Sequence, residues 1–271
     1  MIYRINPTAK DKVIGLGSEL VYSQRKEWCG ATWRHLRMSI IRSRQHFYYD
    51  EEETLPVIVF LCGGGFTTVD HNVWIPELSW YAKRGWAVAS VEYSVTARTR
   101  FPMQLEDIKQ AIRYLRAHAE ELRIDPERIV VMGESAGGYL SGLVGLTGDR
   151  REYDVGEYQE YSSAVKGVVS FYPVTIPTQF SADPDLVPLS PDIDCYLDLD
   201  KLVTENSPPF MILHGTKDSQ VPLRQSEALY EALQEKNVRA ELYIFEGAEH
   251  ADAPFYQTEV KEKILEFIQS I

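Results

Sequence analysis

Residues 133–138 read Gly-Glu-Ser-Ala-Gly-Gly and contain the residue best suited to nucleophilic chemistry in this chain. They follow an apolar, β-branched run at 128–132, which predicts a buried strand, and they precede residues that can start a helix. A serine on a tight turn between a strand and a helix exposes its hydroxyl for attack on a carbonyl carbon. Because Gly133 and Gly137 lack a Cβ, the two elements can close around Ser135, which we expect to be strained. The pattern predicts Ser135 as a nucleophile, and an incidental serine on such a turn is the alternative.

A serine hydroxyl needs a base to accept its proton, and the base needs an acid to orient it. Asp218 follows a predicted strand at 210–214, and His250 follows the next predicted strand at 241–245. The C-terminal ends of parallel strands form one edge of a sheet, where ligands bind. We therefore expect Ser135, Asp218 and His250 to converge as nucleophile, acid and base.

Other acidic and histidine residues fit these two roles less well. Asp252 and Glu246 compete for the acid, but Asp252 is too close to His250 in sequence to orient its ring well. His214 lies inside a predicted strand and is interpreted as a structural histidine. Three further histidines are interpreted as surface residues on an edge strand, a loop and a helix: His35, His46 and His118.

Three glycines at 63–65 follow the predicted strand at 57–62. The tetrahedral intermediate of acyl transfer carries an oxyanion, which preorganised N–H groups stabilise. The glycines allow Gly64 and Gly65 to turn their N–H groups toward that oxygen, and Ala136 supplies another N–H group. A phosphate-binding loop is the alternative, but neither Gly-Lys-Ser/Thr nor Gly-x-Gly-x-x-Gly is present there.

From Pro56 onward, apolar β-rich runs alternate with amphipathic helical patterns. This alternation predicts an α/β fold, a mostly parallel sheet with helices on both faces, in one domain spanning residues 1–271. The predicted strands are 57–62, 86–91, 129–132, 165–172, 210–214 and 241–245. The predicted helices are 74–84, 103–121, 135–146, 223–236 and 259–270. Residues 34–40 are interpreted as an antiparallel edge strand, and the irregular segment 173–209 as a small lid or an ordinary surface loop.

The chain of 271 residues is 44% hydrophobic and 25% charged, which is typical of a soluble globular protein. Its net charge of −12 argues against a nucleic-acid or membrane partner. Cys29, Cys62 and Cys195 suggest neither a disulfide framework nor a metal site, so no metal or cofactor is expected. The start lacks a signal-peptide pattern and no run is long enough to span a membrane, so we expect a cytoplasmic protein. Whether the protein forms a homodimer is left open.

Several motifs together resemble the α/β-hydrolase superfamily. They include Cys-Gly-Gly-Gly-Phe at 62–66, Phe-Pro-Met-Gln-Leu-Glu-Asp at 101–107, His-Gly-Thr-Lys-Asp at 214–218 and Gly-Ala-Glu-His at 247–250, besides the serine motif. The chain is similar to small esterases related to hormone-sensitive lipase, and more so to feruloyl and acetyl-xylan esterase-like carbohydrate esterases. The resemblance implies an α/β-hydrolase fold with a minimal cap, and the same nucleophile, acid, base and oxyanion hole.

Two positions depart from the pattern of that family. The family usually has His before the three glycines, where this chain has Cys62, so the shape of the glycine loop is in question. The family often has Tyr-Arg where this chain has Tyr93 and Ser94, so a structural charge contact is expected to be missing.

The sequence thus predicts a serine carboxylesterase for short acyl esters, with acetyl or feruloyl groups on a carbohydrate or small alcohol. Substrate contacts are assigned to Phe66, His71, Tyr93 and Tyr172, with core packing as the alternative for the two tyrosines. Two other functions stay open. One is amide hydrolysis of the prolyl-oligopeptidase or arylformamidase type, and the other is ligand binding without catalysis.

Overall fold

The computed structural model of the chain describes residues 1–8, 12–27, 30–44, 53–96, 99–182 and 196–271. Cys29, His46 and Cys195 lie outside the described residues, as do residues 183–195 of the segment interpreted as a lid. Among the described residues, no helix has the length and apolar character that crossing a membrane requires.

One eight-stranded sheet runs through the described part of the chain, in the order β1-β2-β4-β3-β5-β6-β7-β8. The strands are β1 (Val13–Glu27), β2 (Thr32–Arg44), β3 (Leu55–Leu61), β4 (Ala87–Val91), β5 (Ile124–Glu134), β6 (Val168–Phe171), β7 (Phe210–Gly215) and β8 (Ala240–Phe245). β2 pairs antiparallel with both β1 and β4, and all other neighbours pair in parallel. The prediction of a mostly parallel sheet is confirmed.

Helices cover both faces of this sheet. They are α1 (Ile75–Ala82), α2 (Met103–Ala117), α3 (Ala119–Leu122), α4 (Ala136–Leu146), α5 (Thr178–Ala182), α6 (Arg224–Glu235) and α7 (Thr258–Gln269). Apolar residues of α2, α4 and α6 form one core, whereas those of α1 and α7 form a second. Strand β3 separates the two cores, because Val57 and Val59 point into the first while Ile58 and Phe60 point into the second.

All six predicted strands and all five predicted helices are present, with ends that differ by a few residues. The largest differences involve a longer β5 and the division of the helix predicted at 103–121. His118 separates α2 from α3, since its backbone has φ −106° and ψ 21°. The apolar periodicity therefore located the elements better than it located their ends.

The N-terminal hairpin differs from the prediction. Residues 34–40, interpreted as an edge strand, lie in β2, which is internal because β1 pairs along its other side. The edge strand on this side of the sheet is β1, which was not predicted. A bulge interrupts its alternation near Glu19, where φ is 61° and the pairing register shifts between Gly17 and Leu20.

Strand β1 also supplies a buried ion pair. Arg25 Nε donates to Asp107 Oδ1 at 2.6 Å, and the Asp107 side chain in α2 is fully buried. The other carboxylate oxygen accepts the backbone N–H of Ser94 at 2.9 Å. Ser94 contacts this carboxylate through its backbone, and the cation that pairs with the carboxylate comes from Arg25 on β1.

Replacing Arg25 tests this pair. We expect Arg25→Met to lower the free energy of unfolding by about 2–4 kcal/mol, because it leaves a buried carboxylate without its cation. Urea unfolding measures the change. Arg37→Met is the matched control in the same hairpin, since it breaks an exposed pair with Glu19, and its loss should stay below about 1 kcal/mol. Equal losses in the two variants would contradict the assignment.

Candidate active site

Ser135, Asp218 and His250 lie within hydrogen-bonding distance of one another at the carboxyl edge of the sheet. His250 Nε2 is 2.9 Å from Ser135 Oγ, and His250 Nδ1 is 2.7 Å from Asp218 Oδ2. Because an ionised carboxylate only accepts, the proton is assigned to Nδ1, which leaves Nε2 to accept the serine proton. The three residues follow β5, β7 and β8. The structure therefore brings together the residues that strand-end placement predicts.

Ser135 has a backbone conformation that non-glycine residues rarely adopt, with φ 55° and ψ −120°. Its N–H donates to the carbonyl of Phe171 at 3.0 Å. A Cβ on Gly133 would lie 2.4 Å from the carbonyl oxygen of Gly137, and a Cβ on Gly137 would lie 2.1 Å from that of Leu61. Both contacts are too short for any side chain, so the turn requires these glycines. The strained serine turn predicted from the motif is present.

Asp218 is buried and held by the backbone of its own loop. Its Oδ1 accepts the N–H groups of Gln220 at 3.0 Å and Val221 at 2.8 Å. Its Oδ2 faces His250 and also lies 3.3 Å from Nε2 of His214. Burial by itself would raise the pKa of the Asp218 carboxyl, but the hydrogen bonds from the two histidines and from Val221 outweigh it and hold the pKa well below its ordinary range.

The two competing acids face other partners. Asp252 accepts the N–H groups of Ala253 at 2.8 Å and Glu249 at 3.3 Å, so it shapes the loop that follows the histidine. Glu246 lies 3.4 Å from the hydroxyl of Thr216. Among the contacts of the described residues, neither carboxylate reaches the ring of His250.

The glycine loop after β3 offers free N–H groups. The Gly64 carbonyl accepts the N–H groups of Thr67 and Thr68, both at 3.1 Å, which closes the loop into a turn. Within the described part of the chain, no group accepts a hydrogen bond from the backbone N–H of Gly64, Gly65 or Ala136. Ala136 begins α4, where helix N–H groups have no internal partner and negative charge is favoured. Unpaired N–H groups of this kind can stabilise an oxyanion.

Glu134, directly before the serine, is a site residue that the sequence analysis missed. Its side chain is buried, and its Oε1 accepts the backbone N–H of Gly63 and the indole N–H of Trp74, the latter at 3.3 Å. Burial raises the pKa of the Glu134 carboxyl, although these donors oppose the shift. The carboxylate thus ties the glycine loop to the serine turn. The sequence could have indicated this role, because an acidic residue at the end of a buried strand needs hydrogen-bond donors around it.

Cys62 stands where the resembled family usually has His. Its Sγ is 3.6 Å from Glu134 Oε1, and its carbonyl accepts the hydroxyl of Tyr93. Burial, followed by the charge of Glu134, raises the pKa of the thiol to about 12, so it is not a second nucleophile. The loop is held at this position by Tyr93 and Glu134 instead of by a histidine.

The side chains assigned to substrate contact do not face an open surface. Phe66, Tyr93 and Tyr172 are all 0% exposed, so the prediction that these side chains contact substrate is wrong. Core packing, the alternative for the two tyrosines, is what the structure has. His71 is 9% exposed, and its Nε2 lies 4.0 Å from Oε1 of Glu19 on β1. It turns toward the N-terminal hairpin.

A chain of aromatic rings links the histidine to Glu134. The ring of Tyr172 packs edge-on against His250, with ring centres 4.6 Å apart. The hydroxyl groups of Tyr172 and Tyr256 are hydrogen-bonded, and Tyr256 stacks on Trp74 at 4.4 Å. Since the Trp74 indole also donates to Glu134, the same packed aromatic rings support both His250 and the glycine loop.

Comparison with known proteins shows which family the chain is similar to. The family model described as BD-FAE matches residues 46–186 and 199–233. The probable carboxylic ester hydrolase LipM of Mycobacterium tuberculosis is 30% identical over 219 residues, which cover 75% of this chain and 49% of LipM. The chain spans about half the length of the curated relatives it matches, such as LipM at 49% and the esterase LipC at 57%.

Two solved structures resemble the chain over nearly its whole length. An acetyl ester-xyloside bifunctional hydrolase from Caldicellulosiruptor lactoaceticus is 27% identical with a TM-score of 0.75, covering 94% of this chain and 97% of the other. Esterase Est2 of Thermogutta terrifontis, solved with propionate bound, is 25% identical with a TM-score of 0.70, covering 97% and 94%. The predicted α/β-hydrolase fold and the resemblance to esterases are confirmed.

Substitution of Glu134 tests its hold on the glycine loop. Glu134→Gln keeps an acceptor for the Gly63 N–H but removes the charge, whereas Glu134→Ala removes both. We expect kcat/KM for p-nitrophenyl acetate to fall about 10-fold in the first variant and about 100-fold in the second, because the N–H donors lose their preorganisation. Glu266→Gln is the control, since Glu266 forms an exposed pair with Lys263 on α7. Full activity of Glu134→Ala would contradict this role.

The pH dependence of stability tests the environment of Asp218. Its pKa in the folded state is depressed, so the ionised form stabilises the fold above the unfolded pKa of about 3.9, and the contribution is lost as the pH falls through the folded pKa. We expect Asp218→Asn to reduce the free energy of unfolding at pH 7, with a smaller deficit as the pH falls from about 5 to about 3. Urea unfolding at several pH values measures it, and a deficit independent of pH would argue against the shift.

Proposed function

The chain belongs to the BD-FAE family, and we propose that it is a serine carboxylesterase that hydrolyses short-chain acyl esters. One observation carries the proposal. His250 lies 2.9 Å from the hydroxyl of Ser135 with one ring nitrogen and 2.7 Å from the carboxylate of Asp218 with the other. This order of nucleophile, base and acid is the arrangement that activates a serine for acyl transfer.

In the first half of the proposed reaction, Ser135 Oγ attacks the carbonyl carbon of the ester while its proton moves to Nε2 of His250. The ionised Asp218 stabilises the imidazolium that forms. The bond between the carbonyl carbon and the alcohol oxygen then breaks, and the proton on Nε2 passes to that oxygen. The products of this half are the free alcohol and an acyl-enzyme on Ser135.

In the second half, His250 accepts a proton from water as the water oxygen attacks the acyl carbon. The bond to Ser135 Oγ breaks, the serine regains the proton, and the carboxylic acid leaves. In both halves, the carbonyl oxygen becomes an oxyanion. We assign its stabilisation to the free N–H groups of Gly64, Gly65 and Ala136, because preorganised donors of this kind contribute most of the electrostatic stabilisation in acyl transfer.

A small acyl group, such as acetyl on a carbohydrate or small alcohol, is the proposed substrate type. Two similarities support it: one structural relative is named an acetyl ester-xyloside hydrolase, and another was solved with propionate. The burial of Phe66, Tyr93 and Tyr172 also favours it, because these rings are not available to stack on a feruloyl group. A feruloyl ester remains the second candidate for the acyl group.

A series of p-nitrophenyl esters from acetate to octanoate tests the function. We expect the highest kcat/KM on acetate, and a loss of about 10⁴-fold or more in Ser135→Ala, because the nucleophile is removed. Ser79→Ala, which changes a serine on the surface of α1, is the control and should keep full activity. Ser135→Ala with full activity would overturn the proposal.

The same measurements separate the other two functions. Faster hydrolysis of a prolyl-peptide amide than of any ester would identify an amidase. An unmutated protein that hydrolyses no ester and does not react with a fluorophosphonate at Ser135 would be a ligand-binding relative. Both outcomes would replace the esterase proposal.

A further inference from the structure

A second histidine contacts the same carboxylate oxygen of the acid as His250 does. His214 lies in β7 and is completely buried. Its Nε2 is 2.8 Å from the carbonyl oxygen of Val221 and 3.3 Å from Asp218 Oδ2. Its Nδ1 is 2.6 Å from Oγ of Ser226, in the first turn of α6. Both ring nitrogens therefore have partners, and one partner is the carboxylate that orients His250.

The partners assign the proton of His214. The Val221 carbonyl and the ionised carboxylate of Asp218 can only accept, so Nε2 must carry a hydrogen. With the hydrogen on Nε2, the other nitrogen, Nδ1, is the acceptor of this tautomer, and the Ser226 hydroxyl supplies the donor that it needs. This assignment from the hydrogen-bond network selects one tautomer of His214, in which the Nε2–H points at the acid and at its loop and Nδ1 accepts from Ser226.

The loop that carries Asp218 is closed by this contact. The N–H of Val221 donates to Asp218 Oδ1 at 2.8 Å, and its carbonyl faces His214 at 2.8 Å. The two backbone groups of one buried residue thus join the carboxylate to the histidine. The other oxygen, Asp218 Oδ2, lies 2.7 Å from His250 Nδ1 and 3.3 Å from His214 Nε2. A change at His214 therefore alters the direction of the carboxylate as well as its hydrogen bonding.

We propose that His214 and Ser226 are positioning residues for the reaction, which fix Asp218 in the orientation that meets His250. Ser226 sets the proton on Nε2 of His214, and this N–H then holds the carboxylate and the Val221 carbonyl together. The proposal rests on the esterase function proposed above. It extends the interpretation of His214 from a histidine that only completes the packing of a strand to one that acts through the acid.

Three variants separate positioning from packing. His214→Phe keeps the ring volume but has no N–H, whereas His214→Gln offers an amide N–H near the position of Nε2. Ser226→Ala keeps the imidazole and removes the donor that fixes its tautomer. Thr147→Val is the control, because it deletes another buried hydroxyl, which donates to the Leu143 carbonyl at 2.7 Å at the C-terminal end of α4.

The measurements are kcat and KM for p-nitrophenyl acetate per titrated active site, the melting temperature, and the proton NMR signal of the hydrogen bond from His250 Nδ1 to Asp218. We expect kcat to fall about 30-fold in His214→Phe and about 5-fold in Ser226→Ala, with KM unchanged because neither residue touches substrate. His214→Gln should recover most of the loss. The NMR signal should shift in His214→Phe and Ser226→Ala and stay in place in Thr147→Val.

A purely structural role gives a different result. If His214→Phe lowers the melting temperature but keeps the kcat of the unmutated protein per active site and an unchanged NMR signal, the proposal is wrong. The same holds if His214→Gln recovers nothing while it folds normally. Failure of the esterase function is distinguishable, because the unmutated protein would then lack an ester activity that Ser135→Ala removes. A shift of the His250 NMR signal in His214→Phe would still report that His214 acts on Asp218.

Discussion

A direct contact between two backbone segments sets the geometry of the whole site. A Cβ on Gly137 would lie 2.1 Å from the carbonyl oxygen of Leu61 and 2.8 Å from that of Cys62, so the first turn of α4 touches the end of β3 with no side chain between them. Helix α4 follows Ser135, and β3 leads into the glycine loop. The spacing between the nucleophile and the N–H donors is therefore set by van der Waals contact, which varies far less than a contact between long side chains.

Two buried carboxylates hold the loops that the contact between α4 and β3 does not fix. Glu134 accepts the N–H of Gly63 and so binds the glycine loop, and Asp218 accepts the N–H groups of Gln220 and Val221 and so shapes its own loop. A buried charge is costly unless donors surround it, so each loop is required to stay in the conformation that supplies those donors. The two pKa shifts have opposite directions, because burial prevails at Glu134 whereas the donors prevail at Asp218.

The buried aromatic residues near the site support its polar groups. Tyr172 packs on the ring of His250, and the stack of Tyr256 on Trp74 continues from it to the Glu134 carboxylate. Tyr93 holds the carbonyl of Cys62 through its hydroxyl. These rings pack around the base and the glycine loop and keep them in place. Ser135 itself is half-buried. The burial of these rings explains why residues that look suited to binding an aromatic ester act here as framework.

Local patterns in the sequence determined the elements and the candidate catalytic positions. Apolar periodicity predicted six strands and five helices. The rule that parallel strands end at one edge of a sheet then predicted that Ser135, Asp218 and His250 lie close together. Strand β1 was not predicted, because the bulge at Glu19 breaks the alternation of its side chains. Only the tertiary structure decided the partners of Glu134, the contact of His214 with Asp218, and the burial of Tyr172. These depend on which side chains meet from elements far apart in the chain. Spacing along one element predicts the face that a side chain occupies but not its distant partner.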